Sequence, residues 1–579
     1  MINLTINGRQ IQVDEGSTLL EAAKKADVHI PTLCYLPEVQ AIGACRVCLV
    51  EVQGNRNLQA ACVFPASEGL VINTNTERVR NARKFSVEML ISNHPMDCLT
   101  CARNLNCELQ TIAEELGITE VRFPGDRSEG GIDDSSPSIR RNQDKCILCR
   151  RCVTVCQEVQ GVGALFPQGR GFDTKIEPAF GESLNDVACA FCGQCSLVCP
   201  VGAITEKEYI DEVWQALSDP TKFVIIQDAP AVRAALGEEF GFAPGTLVTG
   251  KMLAAARKMG FDRVFDTNFA ADLTIIEEGH ELLKRVKTGG VLPLITSCSP
   301  GWIKFIEHFY PELLPHLSTC KSPHQMLGAL AKTYYAEKEG IDPKNMVVVS
   351  VMPCTAKKFE CNRPEMTSSG YQDVDYVLTT RELARMIKQA GIDFVNLKDD
   401  IYDSPLGEYT GAATIFGATG GVMEAALRTV YEVVTGKTLE NVEFAQVRGL
   451  DGVKEATIPV EGLGDVRVAV AHGLGNARKL METIKNGTKA YHFVEVMACP
   501  GGCVSGGGQP IPANNEIRRK RAEALYQEDR GLKLRKSHEN PGIKKIYEEF
   551  LKEPLGEKSH HLLHTKYTPR GVYREPGKK

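Results

Sequence analysis

Eight cysteines between residues 146 and 199 constrain this chain more than any other feature. They form two matching runs, Cys146-x2-Cys149-x2-Cys152-x3-Cys156 and Cys189-x2-Cys192-x2-Cys195-x3-Cys199, the second followed by Pro200. At this spacing three thiolates of a run hold one iron–sulfur cluster, and the fourth crosses to the other run's cluster. One [4Fe–4S] cluster is therefore expected on Cys146, Cys149, Cys152 and Cys199. A second is expected on Cys189, Cys192, Cys195 and Cys156. Chance does not produce eight cysteines so spaced.

The remaining cysteines divide unevenly. Of 21 in all, fifteen fall between Cys34 and Cys199, and six serve residues 200–579. A disulfide framework is the bland reading, but CxxC spacings in a large chain without a secretory start point to metal. Near the front, Cys34, Cys45, Cys48 and Cys62 follow C-x10-C-x2-C-x13-C. Four thiolates suit a [2Fe–2S] cluster. Zinc is disfavoured because its sites usually pair two CxxC units, and only one is present. Next comes His94-x3-Cys98-x2-Cys101-x5-Cys107. An isolated histidine is usually a core or cap residue. His94 instead precedes three cysteines that lack a fourth, so it is assigned as the fourth ligand of a [4Fe–4S] cluster.

The chain around these ligands reads as several domains, as 579 residues require. Residues 1–78 open with alternation at Ile2, Leu4 and Ile6, a turn at Asn7-Gly8, then Ile11 and Val13, which predicts a β-hairpin. Ser17–Glu21 reads as a capped helix start. Residues 79–125 read as helical, with Val79, Phe85, Met89 and Leu90 on the apolar face. Residues 126–138 read as an exposed linker. Residues 139–208 hold the two cysteine runs. Net charge is −6, which favours neither nucleic acid nor an anionic membrane surface. The start MINLTINGRQ has no basic and apolar leader, and the longest apolar runs fall short of the roughly 18 residues a spanning helix needs. A cytoplasmic chain without a membrane span is expected.

Residues 209–579 alternate β-rich segments (Phe223–Ile226, Val347–Met352, Val466–Ala471, His492–Met497) with amphipathic helices such as 250–259 and 381–390. That alternation predicts α/β lobes. Three stretches stand out: ITSCSPGW (Ile295–Trp302), VMPCTAKKFE (Val351–Glu360) and EVMACPGGCVSGGGQP (Glu495–Pro510). The last sets Cys499 and Cys503 among five glycines, which let backbone approach a bulky ligand closely. The cysteines follow apolar runs, at the carboxyl ends of expected strands, where open α/β folds place their sites.

With these stretches and with FGATGGVMEA (Phe416–Ala425) and KSHENP (Lys536–Pro541), the chain resembles the [FeFe]-hydrogenases over essentially its full length. The layout is similar to the large monomeric clostridial enzymes and to the catalytic subunit of NAD(P)-linked, electron-bifurcating hydrogenases. The front also resembles the plant-type ferredoxin-like and His-ligated regions of complex I large subunits.

The resemblance implies a multidomain α+β and α/β protein. Its parts would be a β-grasp [2Fe–2S] domain (1–78), a His/Cys3 [4Fe–4S] domain (79–125), a two-cluster bacterial ferredoxin-like domain (139–208) and a two-lobed α/β H-cluster domain (209–579). It implies one [2Fe–2S] cluster, three accessory [4Fe–4S] clusters in series, and an H-cluster. That group is a [4Fe–4S] cubane joined through a cysteine to a diiron unit with CO, cyanide and azadithiolate ligands.

The implied activity is the reversible reaction 2H⁺ + 2e⁻ ⇌ H2. Cys354, Cys499 and Cys503 would hold the cubane, with Cys503 as the bridge. Lys357 would donate to a cyanide nitrogen. Ala229, Pro230, Met352, Phe416 and Met497 would wall the pocket, although core packing explains the two methionines equally well. Cys320 and Cys361 are left as structural.

One position departs from the pattern. Many relatives read TSCCP where this chain reads Thr296-Ser-Cys298-Ser299-Pro300. Cys298 keeps the proton-relay position and Ser299 stands where a cubane ligand is expected. Either Ser299 (or water) completes the cubane, or Cys298 ligates and the relay is altered. We take the first as the working expectation.

The implied proton route runs Cys298, Glu278, Ser318, Glu281, Arg285. Glu278, Glu281 and Arg285 lie at i, i+3 and i+7, on one face of a helix. Without the resemblance, Glu281–Arg285 reads as a solvated i,i+4 pair. The implied partners are H2 and protons, ferredoxin, flavin and NAD(P)H-binding subunits of a multi-subunit complex, and maturases for the diiron unit. The alternative is an electron-transfer, sensory or cluster-scaffold protein of the same fold without H2 turnover. Ser299 is the one feature that leans that way.

Overall fold

The computed structural model describes residues 1–572 apart from Glu38 and Pro124. At the front, Ile2–Ile6 and Arg9–Val13 form the expected antiparallel hairpin. Ile2–Ile6 also pairs in parallel with Val71–Asn73, and the sheet continues through Leu49–Val52 to Gln59–Ala60. The helix Leu19–Lys25 starts at a capping box in which Thr18 and Glu21 satisfy each other's backbone N–H. Its Leu19, Ala22 and Ala23 pack on Leu4, Ile6, Val50 and Ile72. A mixed sheet clasping one helix is the β-grasp arrangement.

The helix Glu77–Ser92 follows, but its inner face is not the expected one. Phe85 and Met89 are 50% and 44% exposed, while Val79, Arg83 and Val87 are buried. The sheet beside the helix decides this. Arg83 reaches it and donates to the Leu49 carbonyl at 2.7 Å, a contact that hydropathy does not reveal. Phe85 finds a smaller partner, edge-on to Phe123 at 5.2 Å.

The segment 126–138 is exposed over much of its length, yet it does more than link. Ile132–Asp133 pairs antiparallel with Ile139–Asn142, which pairs with Ile204–Glu206. Asp144 fastens the turn by accepting from the Gly130 and Gly131 N–H groups at 2.8 and 3.1 Å. The two cysteine runs sit beside this small sheet, each continuing into a short helix, Arg151–Thr154 and Gln194–Val198.

Residues beyond 209 build two four-stranded sheets. One is parallel throughout, in the order Arg263–Asp266, Phe223–Asp228, Met346–Met352, Tyr376–Thr379. Its central strand MVVVSVM is buried at every residue, as a parallel strand covered on both faces requires. The other runs Leu294–Ile295, Phe493–Met497, Gly464–His472, Val453–Val460, with only the last pair antiparallel. The long helix Thr267–Thr288 starts at an N-cap Asp266 and contributes side chains to the cores of both lobes. C-terminal helices Asn515–Gly531, Pro541–Ile546 and Glu557–Leu563 wrap this pair, and a bridge between Cys320 and His564 ties the tail to the interior. No helix among the described residues is long and apolar enough to cross a membrane.

Candidate active site and its cluster-binding sites

All 21 cysteines are unpaired, so none is spent on a disulfide. The front set lies together: thiol contacts join Cys34 to Cys45 and Cys62, and Cys62 to Cys48. His94 has one free ring nitrogen. Its Nδ1 faces the Pro95 carbonyl at 2.8 Å, while Nε2 is buried with no hydrogen-bond partner among the described residues. A histidine fixed in that way presents a lone pair, as a metal ligand does. Cys101 and Cys107 are half-buried nearby in sequence, and Cys98 is exposed.

Cys146, Cys149, Cys152 and Cys199 line one small cavity. Cys156, Cys189, Cys192 and Cys195 form a second buried group whose charges bear on one another. Burial, then these neighbours, push the Cys152 and Cys195 thiols well above their usual range. Four thiols gathered at one buried place form a donor set that can bind an iron–sulfur group as thiolates. The residues present fit iron–sulfur groups.

The contacts between these sets make a fork rather than the expected series. Gln40 Nε2 donates to the Cys34 carbonyl at 2.7 Å and to the Cys149 carbonyl at 3.0 Å. The front set thus abuts the Cys146–Cys199 set. The His94 set abuts the same one: a Cβ on Gly202 would lie 2.7 Å from Cys101 Sγ, and Lys145, next to Cys146, pairs with Asp97 at 2.8 Å. Both outer sites therefore lead into one hub.

The remaining set, with Cys192, meets the catalytic region. Gln194 Nε2 donates to the Ser505 carbonyl at 2.9 Å, and Gln160 Nε2 donates to the Ala498 carbonyl at 3.0 Å. Lys304 donates to the Cys189 carbonyl at 2.7 Å and places a cation over the Phe191 ring.

Behind that contact lies a mostly apolar cavity of about 70 Å³. The three singled-out stretches converge on it. Cys298 and Ser299 follow the strand Leu294–Ile295, Cys354 follows Met346–Met352, and Cys499 and Cys503 follow Phe493–Met497. All five line the cavity, as do Lys357, Ala229, Pro230, Met352, Phe416 and Met497. Close backbone packing shapes one wall: a Cβ on Gly506 would meet the Pro353 carbonyl oxygen at 2.2 Å.

Buried charge holds these loops. Arg233 pairs with Asp266 at 2.9 Å and Asp228 at 3.4 Å, bracketing Ala229-Pro230. Glu495 accepts from the Gly420 and Met423 N–H groups at 2.7 Å each, fastening the turn that carries Phe416. Lys357 Nζ donates to Glu360 at 2.9 Å and to the Cys298 carbonyl at 3.2 Å. His324 Nε2 lies 2.8 Å from the same carboxylate. Burial opposes the charge on Glu360, but Lys357 and His324 outweigh it and hold the group down at about 2. His324 and Thr267, which also line the cavity, and Glu360 were missed in the sequence. Glu360 stands inside a quoted stretch, so its place there was the available signal.

Cys298 and Ser299 face different neighbours. Burial, then the charge of Glu278, push the Cys298 thiol well above its usual range. Ser299 caps the helix Pro300–Phe309, and its Oγ accepts from the Ala498 N–H at 3.2 Å. Glu278 is 2% exposed, and its Oε2 has no hydrogen-bond partner among the described residues. Burial, with help from Glu281 and Glu495, pushes it up to about 8, while contact with Ser318 pulls the other way. Ser318 Oγ lies 3.5 Å from Glu281 Oε2, at the limit of a hydrogen bond. Glu281 pairs with Arg285 at 2.6 Å, with the two side chains only 9% and 14% exposed, so this is not a solvated surface pair.

Residues 222–507 match the family described as iron only hydrogenase large subunit, C-terminal domain, and residues 515–570 match iron hydrogenase small subunit. Upstream, residues 1–77 match a 2Fe-2S iron-sulfur cluster binding domain, and residues 83–122 match the NADH-ubiquinone oxidoreductase-G iron-sulfur binding region. Residues 136–205 match the ferredoxin-like domain of NADH-quinone oxidoreductase subunit 3. The chain is 55% identical to the NADP-reducing hydrogenase subunit HndD of Solidesulfovibrio fructosivorans, over 98% of this chain and 99% of that one. It is 43% identical to iron hydrogenase 1 of Clostridium pasteurianum, over 98% and 100%. Among solved structures, an apo [FeFe]-hydrogenase from Chlamydomonas reinhardtii superposes with TM-score 0.55 at 46% identity, covering 62% of this chain and 99% of that one.

The fold and site are those of a multi-cluster iron–sulfur oxidoreductase with an H-cluster domain. The chain belongs to the iron-only hydrogenase family.

Proposed function

We propose that this chain catalyses the reversible reduction of protons to H2 and exchanges its electrons with NAD(P)H-handling flavin subunits or with ferredoxin. The observation that carries the reading is the shared cavity. It gathers five cysteine and serine side chains from three strand ends, with Lys357 on one side and the Cys298–Glu278 pair on another. Cys354, Cys499 and Cys503 would hold the cubane, with Ser299 or water in the fourth ligand position. When bound, the accessory groups supply one-electron transfer and the H-cluster supplies the metal centre at which H2 is split or formed.

The division of labour among the chain's own residues follows. Lys357, fixed by Glu360, offers a buried cation to an anionic ligand. Met352, Met497 and Phe416 exclude water, which strengthens charge interactions inside. Glu278, poised near neutral pH, takes and returns a proton at the Cys298 thiol. Ser318 and Glu281 carry it outward, and Arg285 holds Glu281 in place.

This reading divides the chain at 1–78, 79–125, 139–208 and 209–579, with one [2Fe–2S] and three accessory [4Fe–4S] clusters and cytoplasmic placement. An NAD(P)-linked assembly fits the name carried by the 55%-identical relative, and the front regions match families named for NADH oxidoreductases. The test is infrared spectroscopy of the anaerobically matured protein under H2 and then CO. Bands in the CO and cyanide stretching region that respond to both gases are expected. A protein with intact accessory clusters and no such bands is an electron carrier or scaffold instead.

A further inference from the structure

Arg285 does not pass protons between Glu281 and solvent. A guanidinium stays protonated in proteins and has no acceptor. Its donors are also committed: Nη2 to Glu281 Oε1 at 2.6 Å and the Leu317 carbonyl at 2.7 Å, Nη1 to the Val291 and Pro315 carbonyls at 3.2 Å each. It clamps one oxygen of Glu281.

The other oxygen faces the C-terminal segment. Glu281 Oε2 accepts from the Thr319 backbone N–H at 3.1 Å and from Thr319 Oγ1 at 3.0 Å. Thr319 Oγ1 in turn lies 2.8 Å from His564 Nδ1. His564 is 7% exposed. Its Nε2 lies 3.1 Å from Glu277 Oε2. Glu277 also accepts from the Leu555 N–H at 2.9 Å and from the hydroxyls of Tyr547 and Ser559. Burial opposes its charge, but His564, Ser559 and Tyr547 outweigh that and hold Glu277 below its ordinary value.

Nε2–H of His564 therefore donates to Glu277 in either charge state, and Nδ1 alone changes. With His564 neutral, Nδ1 accepts from the Thr319 hydroxyl. With His564 charged, Nδ1–H donates to Thr319 Oγ1, which frees the hydroxyl to donate to Glu281.

We propose that His564 is a proton station at the outer end of the route, exchanging protons with Glu281 through the Thr319 hydroxyl. The proposal rests on the proton route read above. In the inward step the Nδ1–H bond of the imidazolium breaks and that proton passes to Thr319 Oγ1. The hydroxyl's own proton passes to Glu281 Oε2. The products are neutral His564 and protonated Glu281; net charge is unchanged and no electron moves. The outward step is the reverse.

The exposed His560 ring stacks on His564 at 4.5 Å. The groups that face His564 are Glu277 and Glu281 from the long helix, Cys320 beside Thr319, and His560 on its own helix. Lys284 and Tyr547 lie just beyond them. Burial and the nearby carboxylates push the Cys320 thiol well above its usual range, so it stays neutral and does not compete.

The test compares H564Q, T319V and T319S in fully matured protein, with E281Q as the reference for the route. E281Q, H564Q and T319V should each lower H2 evolution by about 100-fold, the low end for a positioned proton-transfer group. Infrared bands of the H-cluster should be unchanged. T319S should keep turnover, because it keeps the hydroxyl. The double variant H564Q/T319V should be no slower than the slower single variant, since both cut one wire. In protein matured without the diiron unit, the infrared carboxylate band assigned by E281Q should shift in H564Q and in T319V. A slow E281Q beside normal H564Q and T319V would overturn the station and leave the route standing. A normal E281Q would overturn both. If H564Q does not fold, equal turnover in T319V and T319S is enough to reject the proposal.

Discussion

Gly193 and Gly507 meet backbone to backbone: a Cβ on Gly507 would lie 2.6 Å from Gly193 Cα, and one on Gly193 would lie 2.9 Å from Gly507 Cα. Here the ferredoxin-like region touches the loop that carries Cys499 and Cys503. Gly193 also has φ +69° and faces Thr355 Oγ1 at 2.4 Å from its absent Cβ. G193A should therefore cost about 1–3 kcal/mol in strain and separate the two loops. H2 evolution driven by an external donor should fall while the H-cluster infrared bands persist. G8A is the control. Gly8 has φ +81° with open space around it, so only backbone strain of about 1–2 kcal/mol is expected, with turnover unchanged.

Glu278 should hold its proton at neutral pH. Its carboxyl is pushed up to about 8, chiefly by burial. The protonated C=O stretch, assigned by its loss in E278Q, should persist through pH 7 and fade as pH rises through about 8. The sign for stability follows. A raised carboxylate pKa favours the folded state only while the group is neutral. Stability is therefore lost as pH rises from the unfolded value of about 4.3 toward the folded one, by on the order of 5 kcal/mol. E278Q should flatten that part of the pH dependence, as read by thermal melting across the range.

Ser299 should set the electronic character of the cubane. An oxygen ligand is harder than a thiolate. S299C should shift the cubane's midpoint potential, measured by infrared-monitored redox titration, while CO and cyanide bands remain. An unshifted potential would mean that Ser299 does not touch the cubane. S299A should also leave the Ala498 N–H, now paired at 3.2 Å, without its acceptor, at a cost of about 1–3 kcal/mol.

His94 should be required for one accessory cluster. Its Nε2 is buried and free while Nδ1 is occupied. H94A should remove one [4Fe–4S] signal in electron paramagnetic resonance and lower iron content accordingly. H94C should retain the cluster at a lower potential, because thiolate adds negative charge. Turnover with a donor that reaches the hub directly should be less affected than turnover with the physiological donor.

Much of this protein is legible in one dimension because cluster ligation is local chemistry. The runs at Cys146 and Cys189 suggest a ligand pattern by spacing alone, and His94 becomes a candidate by standing before three cysteines that lack a fourth. The strands Met346–Met352 and Phe493–Met497 are equally plain, since a parallel strand covered on both faces is a continuous apolar run. Less legible was the helix Glu77–Ser92, where Arg83 rather than Phe85 turned inward because a carbonyl of the neighbouring sheet was waiting.

The sequence by itself determined where the candidate ligands stand, which loops carry them and which family the chain resembles. Those properties depend on residue type and on spacing over a few positions. Only the tertiary structure decided how the sites connect. Gln40 and Lys145 join both outer sets to one hub, and Gln160 and Gln194 join the next set to the catalytic loop. Only the structure brought His564 to Thr319, across 245 positions of chain. Such contacts arise from how packed regions dock, and no local pattern of spacing or hydropathy records them.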